Sequence, residues 1–386
     1  MRDAGCDTVI DAHDISVLGL AEVVQHLPHI YGEYRRLLRE VDARKPDAAI
    51  LIDFPDFNLR LARQLHKRGI PVIYYVSPQL WAWRSGRIAQ IRKYVRKMLV
   101  IFPFEEKWYR ERGVEVEYVG HPLADETLPS STREEFAKRY TVDPEREWIA
   151  LLPGSRSKEI NFNLEAMLRA ASTISGSQPA TGRSSGSVDS LETIEAVIKM
   201  EEAVGSKQSE LDTELLRGAI TTSEYEYVLP VAPSISAGSV RKVVSDFGAE
   251  TDVKLVGDVR SALFHSRAAV VASGTATLET ALIGTPFVMV YRVSPLSWTV
   301  GRPLVKVDRF AMPNLIAGRD VVPELIQSNF TAEKVVAELK KILPEGPDRQ
   351  RMIDGLAEVR AKLHPQERGI TASDRAAEAV LSVVKT

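Results

Sequence analysis

Two carboxylates, Asp53 and Asp56, stand three residues apart in the string Asp53-Phe-Pro-Asp-Phe-Asn58. The string directly follows a short apolar run that we interpret as a buried strand. The proline between the aspartates stiffens the turn and disfavours a helical conformation at the residue before it. A carboxylate held in such a turn can take a proton from an attacking hydroxyl. A simpler interpretation stays open, in which Asp56 or Asn58 caps a helix that begins at Leu59.

Two turns of small residues are suited to phosphate. Leu152-Pro-Gly-Ser-Arg156 and Ser273-Gly-Thr-Ala-Thr-Leu-Glu279 each stand between a predicted strand and a predicted helix. Glycine permits a tight turn, and the helix start that follows offers free N–H groups and a positive dipole end. The residues expected to hold a diphosphate are Ser155, Arg156, Gly274 and Thr275. Ordinary turn and helix-cap chemistry is the alternative.

Glu279 lacks a local explanation, because a capping box would need Ser or Thr three residues earlier and that position is Ala276. We interpret Glu279 as an acceptor for ribose hydroxyls. The alternatives are a solvated helix glutamate, or one that merely favours the positive dipole end of the helix. Downstream, polar side chains of fixed shape suit a sugar or a base edge, although a loop and a helix start explain them too. They are Asn314, Arg319 and Gln327.

A tryptophan pair precedes a basic segment in Ser77-Pro-Gln-Leu-Trp-Ala-Trp-Arg84, and we predict a basic helix over residues 84–97. Trp81, Trp83 and Arg84 can meet a lipid surface, an acyl chain or a sugar phosphate. Aromatic residues in the core beside a solvated basic face explain the pattern as well. His121 follows another predicted strand and could reach the same edge.

Strands and helices alternate along both halves of the chain, which predicts α/β domains with parallel sheets. We expect an N-terminal domain over 1–145, a second domain over 146–330 and C-terminal helices over 331–386 that pack back on the first domain. The polar stretch 128–147 would join the domains, and the Ser/Gly-rich composition at about 175–222 is typical of an exposed insertion. Ligands in such folds gather at the carboxyl ends of strands, where every motif above lies.

Composition limits the function classes. The 386 residues include 44% hydrophobic and 26% charged residues with a net charge of −2, so nothing global attracts nucleic acid. The single cysteine, Cys6, fits a reducing cytoplasm, and we expect it to be a small buried residue. No apolar run is long enough to span a bilayer, and we expect no signal peptide because residues 1–14 are polar and acidic. No metal site or cofactor is predicted, because metal-ligand spacings and P-loop, dinucleotide and hydrolase motifs are absent.

Six short strings of the sequence lie at 52–58, 75–83, 119–122, 151–156, 272–279 and 313–319. They occur in the order found in lipid-A-disaccharide synthases, and through them the sequence resembles that family. The resemblance implies two Rossmann-like domains facing a cleft, the B-type glycosyltransferase fold, working without metal and with inversion. The donor would be UDP-2,3-diacylglucosamine and the acceptor 2,3-diacylglucosamine 1-phosphate (lipid X). The products would be the β-1,6-linked disaccharide 1-phosphate and UDP.

The resemblance also implies roles for residues. Asp56 would be the general base, with Asp53 as the weaker choice. The UDP-sugar would be held by Ser155, Arg156, Gly274, Thr275, Glu279, Asn314, Arg319 and Gln327. Because both substrates are amphiphiles made at the inner membrane, the resemblance implies a peripheral protein on its cytoplasmic face, and it is compatible with a homodimer.

Family members usually open with a strand and a Gly-rich Ser-Ala-Gly-Glu-x-Ser-Gly-Asp loop, which this sequence does not contain. We therefore expect the first domain to lack its opening strand. Two competing hypotheses follow: a non-catalytic UDP-binding fragment, and another UDP-sugar enzyme of the same fold, such as an epimerase. The region of Trp81 and Trp83 argues against the epimerase, because soluble substrates need no lipid-facing surface.

Overall fold

The computed structural model describes residues 4–10, 20–176, 224–248, 252–364 and 369–384. The predicted insertion lies outside these residues from position 177 onward. Contacts within the chain define two compact units. Unit 1 comprises Met1–Asp125, Leu304–Lys306 and Leu363–Thr386, and unit 2 comprises Glu126–Pro303 and Val307–Lys362. These bounds differ from the predicted domains in three places. Unit 2 begins at Glu126, unit 1 includes Leu304–Lys306, and all of 331–362 belongs to unit 2.

Unit 1 contains a four-stranded parallel sheet in the order β1-β2-β3-β4. The strands are β1 (Ala49–Ile52), β2 (Val72–Tyr75), β3 (Lys97–Val100) and β4 (Val116–Tyr118). The helices of this unit are Leu20–Arg44, Pro55–Lys67, Ile88–Tyr94, Pro103–Arg110 and Ala372–Val384. Strand residues are mostly apolar, as is usual in a parallel sheet, although Ile50 and Ile52 of β1 are exposed at 51% and 44%. The last helix packs through Ala376 and Ala379 against Ile73 of β2 and Leu99 of β3.

Unit 2 contains a six-stranded parallel sheet in the order β10-β9-β8-β5-β6-β7. The strands are β5 (Glu147–Leu152), β6 (Tyr225–Pro230), β7 (Val253–Val256), β8 (Ala268–Ala272), β9 (Phe287–Tyr291) and β10 (Glu324–Ile326). Its helices are Arg133–Tyr140, Ser157–Ser175, Ala237–Asp246, Val259–His265, Thr275–Ile283, Pro295–Gly301, Met312–Ala317, Ala332–Ile342 and Pro347–Leu363. The chain leaves β5 toward β6 on one side and returns through β8 on the other. The order of strands therefore reverses between β5 and β8, the position where such sheets bind ligands.

Several local predictions differ from the structure. The basic helix predicted over 84–97 is a 3₁₀ turn, Ser85–Arg87, followed by the helix Ile88–Tyr94. It ends because Val95 is extended and the amide of Arg96 bonds to the Val72 carbonyl at 2.8 Å, which starts β3.

The stretch 128–147 holds the helix Arg133–Tyr140, which a capping box of Thr132 and Glu135 begins. Cys6 is exposed, so the prediction that it is buried was wrong. Among the described residues, no helix has the length and apolar character that crossing a bilayer demands.

Candidate active site

The turn after β1 is held in an unusual backbone conformation. Asp53 and Phe54 are both left-handed, with φ of 46° and 45°. Such conformations cost about 1–3 kcal/mol each in non-glycine residues and persist where the surroundings fix them. Here the Asp53 carbonyl accepts hydrogen bonds from the Tyr74 hydroxyl at 2.6 Å and from Asn58 Nδ2 at 2.7 Å. The predicted turn is therefore rigid, and buried Asn58 is one of the groups that hold it.

Asp56 lies in the first turn of the helix that follows. That helix begins at Pro55 and not at Leu59, because proline is well suited to the first helical position. No side chain caps it, so the capping interpretation of Asp56 and Asn58 was wrong. The Asp56 carboxylate is exposed, and its Oδ1 faces Arg84 Nη1 at 3.3 Å.

Oδ1 of Asp56 also contacts the guanidinium of Arg87. Within the described part of the chain no hydrogen bond or ion pair reaches Oδ2. Two cations thus orient the carboxylate and leave one oxygen open to accept a proton. The carboxyl of Asp53 lies in the neighbouring exposed position and remains the second candidate.

The loop 77–84 follows β2 at the same edge of the sheet, and its two tryptophans differ. Trp81 is partly buried and its Nε1 donates to Glu105 Oε1 at 2.9 Å. Trp83 is 41% exposed, and the Arg84 guanidinium lies 4.4 Å from its ring centroid. Of the three residues predicted to meet a substrate or a membrane, Trp83 and Arg84 are exposed, whereas Trp81 holds the loop.

His121 follows β4, again at the carboxyl edge of unit 1. The side chain is buried, its Nδ1 accepts the amide of Leu123 at 3.1 Å, and its ring centroid lies 5.3 Å from that of Phe102. Burial lowers the pKa of His121 to about 4, against a smaller opposing effect of Asp125. The imidazole is therefore neutral at neutral pH and offers a phosphate no charge.

In unit 2 the two glycine turns lie side by side. Strands β5 and β8 pair in parallel, with Leu152 beside Val271, so the turns at Gly154 and Gly274 leave the same edge of the sheet. Both glycines have positive φ, 126° and 149°. Each turn leads into a helix, Ser157–Ser175 and Thr275–Ile283. Two helix starts with positive dipole ends thus stand next to each other at the point where the strand order reverses.

The first turn carries a residue that the sequence interpretation missed. Glu159 Oε2 accepts the amide of Ser155 at 2.9 Å, and its Oε1 pairs with Arg156 Nη1 at 3.0 Å. A Cβ at Gly154 would lie 2.5 Å from Glu159 Oε2, so glycine is required there. A carboxylate of the chain itself therefore occupies the groups predicted to bind phosphate. An acidic residue in the first turn after Gly-Ser-Arg was the available signal.

The second turn is open. A Cβ at Gly274 would meet no atom within 4 Å, and Thr275 is exposed. Thr277 Oγ1 donates to the Gly274 carbonyl at 2.7 Å and accepts the amide of Met312 at 3.3 Å. This hydroxyl ties the turn to the segment that carries Asn314.

Glu279 is half-buried on the helix after Gly274, and its carboxylate lies 3.7 Å from Arg260 Nη1. Arg260 also pairs with Glu126 at 2.8 Å. Burial raises the pKa of Glu279, with Arg260 opposing the shift. The alternative of a solvated helix glutamate is therefore wrong. Arg260 and Glu126 were not recognised in the sequence, because they lie far from Glu279 along the chain.

Asn314 is fully buried and its amide is used within the fold. Its Nδ2 donates to the Val322 carbonyl and to Glu324 Oε1, both at 2.9 Å. Its Oδ1 accepts the amides of Val321 and Val322 at 2.7 and 3.0 Å. This geometry does not fit the predicted donor contact, because every polar atom of the side chain already has a partner. Asn314 instead fixes the segment beside the second turn.

Gln327 and Arg319 also have partners. The Gln327 amide accepts from the Val293 amide at 2.9 Å and donates to the Val293 carbonyl at 3.3 Å. Arg319 is exposed and pairs with Glu358 at 2.5 Å. Of the residues predicted for the donor, the structure thus groups Ser155, Arg156, Gly274 and Thr275 at the two turns, while Gln327 holds the loop after β9.

Solved structures share this architecture. The S. aureus MnaA–UDP co-structure superposes with a TM-score of 0.53 at 10% identity, covering 96% of this chain and 81% of that one. A kitacinnamycin glycotransferase gives a TM-score of 0.51 at 12% identity, covering 95% and 84%. At such identities the likeness concerns the fold alone, and it confirms the predicted B-type glycosyltransferase fold.

Sequence relatives are more specific. The family model for lipid-A-disaccharide synthetase matches residues 1–203 and 200–380. The lipid-A-disaccharide synthase of Koribacter versatilis is 50% identical over 385 residues, which is 100% of this chain and 88% of the relative. The synthase of Myxococcus xanthus is 38% identical over 380 residues, covering 98% and 86%. This chain therefore belongs to the lipid-A-disaccharide synthase family.

Proposed function

We propose that the chain transfers 2,3-diacylglucosamine from its UDP derivative to lipid X and so forms the β-1,6-linked disaccharide 1-phosphate and UDP. The observation that carries the proposal is the pair of adjacent glycine turns at Gly154 and Gly274, where the strand order of unit 2 reverses. Two neighbouring helix starts can share one diphosphate, because each offers free amide N–H groups and a positive dipole end. Family membership supplies the substrate class.

In this proposal the diphosphate rests on the turns of unit 2, and Arg156 leaves Glu159 to pair with a phosphate oxygen. Arginine can bind phosphate through two parallel hydrogen bonds. An exposed side chain, whose contact with Glu159 goes through Nη1, supports this role for Arg156. Half-buried Glu279 is suited to accept ribose hydroxyls, because Arg260 balances its charge.

The reaction itself needs one proton acceptor. The 6-hydroxyl oxygen of lipid X forms a bond to the anomeric carbon of the donor as the bond from that carbon to the UDP oxygen breaks. The hydroxyl proton passes to Oδ2 of Asp56, and the negative charge that develops on UDP is stabilised by the two helix starts. Attack from the face opposite UDP inverts the anomeric centre, as the β linkage requires.

We further propose that exposed apolar side chains meet the acyl chains or the cytoplasmic face of the inner membrane. In unit 1 these are Ile52, Phe54 and Trp83, beside the proposed base. In unit 2 the helix Pro295–Gly301 exposes Leu296 and Val300 at 76% and 62%. Large exposed apolar side chains close together are uncommon on proteins without a partner surface. Serine at Leu296 and Val300 should then reduce cosedimentation with anionic vesicles without altering UDP affinity.

The direct test is an assay of the purified chain with UDP-2,3-diacylglucosamine and lipid X. Disaccharide should form, and a folded chain that forms none would contradict the proposal. Calorimetry with UDP tests the two halves of the site separately, because Arg156→Ala should weaken UDP binding about 10-fold while Asp56→Ala should not change it. The competing binding-fragment hypothesis predicts UDP affinity without turnover. An epimerase would instead convert a non-acylated UDP-sugar.

A further inference from the structure

Glu105 is a buried carboxylate that the proposed reaction does not use. It lies in the first turn of the helix Pro103–Arg110, after β3, and only 1% of the residue is exposed. Burial of an ionised carboxylate is costly unless hydrogen bonds satisfy it. Glu105 therefore calls for an explanation that an exposed glutamate in a helix start would not need.

Three donors from two segments converge on this carboxylate. Oε1 accepts the Ser77 hydroxyl at 2.6 Å and Trp81 Nε1 at 2.9 Å. Oε2 accepts the amide of Phe102 at 3.1 Å. The last bond is half of a helix cap, but the first two belong to the loop 77–84, which follows a different strand. Helix capping alone thus leaves two of the three bonds unexplained.

The same loop is anchored elsewhere by neutral contacts. The Tyr109 hydroxyl donates to the Pro78 carbonyl at 2.9 Å, and the Trp81 ring meets Phe104 edge-on with centroids 4.9 Å apart. Both partners belong to the helix that carries Glu105. The helix Pro103–Arg110 therefore acts as the platform on which the loop rests.

The far end of the loop delivers Arg84 to the proposed base. Arg84 is left-handed, with φ of 53°, stacks on Trp83 and pairs with Asp56. On either side of Arg84, the Ala82 carbonyl accepts the Lys306 amide at 2.8 Å and the Ser85 hydroxyl accepts Lys306 Nζ at 2.9 Å. Displacement at Trp81 would thus move a strained arginine three residues away.

We propose that Glu105 is a positioning residue: its buried carboxylate fixes the loop 77–84 and thereby sets Arg84 against Asp56. The inference rests on the proposed function, because it assumes that Asp56 accepts the proton. The negative charge matters, because a carboxylate alone offers acceptors to all three donors. A glutamine would turn an amide N–H toward one of them.

The charge state supports this role. Burial raises the pKa of Glu105 to about 7, and its bonds to Ser77, Trp81 and Phe102 oppose the shift. In the described part of the chain none of the groups that hydrogen-bond Glu105 is cationic, and the nearby titratable group is the Tyr109 phenol, whose hydroxyl is bound to Pro78. Protonation would replace one acceptor with a donor and loosen the loop.

The test compares Glu105→Gln with Glu106→Gln, its exposed neighbour that pairs with Arg110. In Glu105→Gln we expect kcat/KM for lipid X to fall about 10-fold at pH 8, with UDP affinity unchanged and with the acid limb near pH 7 lost from the profile. Glu106→Gln should match the wild type. A Glu105→Gln enzyme within twofold of the wild type would overturn the proposal.

Action through Arg84 is tested by combining variants. If Glu105 works through Arg84, the double variant Glu105→Gln/Arg84→Ala should be no slower than Arg84→Ala alone. If the rate losses of the two single variants multiplied in the double variant, the proposal would be overturned and Glu105 would be a structural residue.

Nitrogen-15 NMR separates this inference from the proposed function. Glu105→Gln should shift both the Trp81 indole signal and the Arg84 Nε signal, assigned with Trp81→Phe and Arg84→Ala, whereas Glu106→Gln should shift neither. An unmoved Arg84 signal would contradict the positioning role even in a chain that forms no disaccharide. Absence of disaccharide in the wild type, with both signals shifted by Glu105→Gln, would contradict the proposed function alone.

Discussion

The two sheets present their carboxyl edges in different ways. At the edge of unit 1, the proposed chemistry rests on side chains: Asp56 faces Arg84 and Arg87 and follows a turn in which Asp53 and Phe54, neither of them glycine, have left-handed φ. At the edge of unit 2, the proposed binding rests on the backbone, through glycine turns and helix starts. The first arrangement suits proton transfer and the second suits recognition of a diphosphate. Substitutions at the two edges should therefore separate turnover from UDP binding.

The largest effect should come from Asp56→Asn. Loss of a general base typically costs about 10²–10⁴-fold in rate, so kcat should fall within that range. UDP affinity should hold, because the turns of unit 2 are unchanged. Disaccharide formation followed by mass spectrometry, with calorimetry for UDP, measures both quantities.

Asp53→Asn is the matched control for that comparison. It removes a carboxylate three residues away from the same rigid turn, and its backbone bonds to Tyr74 and Asn58 remain. A larger loss in Asp53→Asn than in Asp56→Asn would exchange the roles of the two aspartates.

The stability of the folded chain should depend on pH through Glu105. Its pKa is about 7 in the folded chain against 4.5 when unfolded, so the native state binds more protons between these values. Stability from this group is therefore present below pH 4.5 and is lost as pH rises through 7, by about 3 kcal/mol in total. Urea unfolding of the wild type and Glu105→Gln from pH 5 to pH 8 measures the difference.

His121 shifts in the opposite direction, since burial lowers its pKa, and its contribution to stability is lost as pH falls from 6.5 toward 4. Because both chains carry His121, its contribution cancels in the difference between them. A difference that stays constant across the pH range would contradict the burial cost assigned to Glu105.

Much of this site could be predicted from sequence, because its signals are local. Apolar runs predicted the strands, and small or acidic residues directly after them predicted the turns at Asp53, Gly154 and Gly274. Glu105 was missed because a glutamate in a helix start looks like a cap, and its donors at Ser77 and Trp81 come from another strand.

Two of the predictions that did not fit the structure failed for the same physical reason. Asn314 was expected to contact the sugar donor. Its side-chain amide instead hydrogen-bonds to Glu324, ten residues along the chain, and to neighbouring backbone amides. The basic helix over 84–97 was cut short because strand pairing at Arg96 outweighs helical propensity. Contacts that join distant segments cannot be inferred from spacing within one segment.

Gly154→Ala should show how strictly the backbone site of unit 2 depends on glycine. The new Cβ would lie 2.5 Å from Glu159 Oε2, and the φ of 126° is strained for alanine. We expect stability to fall by about 1–3 kcal/mol and the Kd for UDP to rise roughly 10-fold. Gly274→Ala is the matched comparison, since its Cβ would meet open space, and it should cost less stability. If both variants lost the same stability in thermal unfolding, backbone strain alone, and not the clash with Glu159, would account for the loss.

The smallest expected effect is on UDP affinity and concerns Glu159. It is also the sharpest test of the difference between the two sheet edges. Its carboxylate now holds the Ser155 amide and Arg156, the groups that the diphosphate would take. Glu159→Gln should therefore strengthen UDP binding about threefold, because removing an exposed like charge gains less than about 1 kcal/mol. Glu165→Gln, which breaks an exposed pair with Arg169 on the same helix, should leave the Kd unchanged. Weaker binding in Glu159→Gln by calorimetry would mean that Glu159 orients Arg156 for the phosphate, and side chains would then matter at this edge as they do in unit 1.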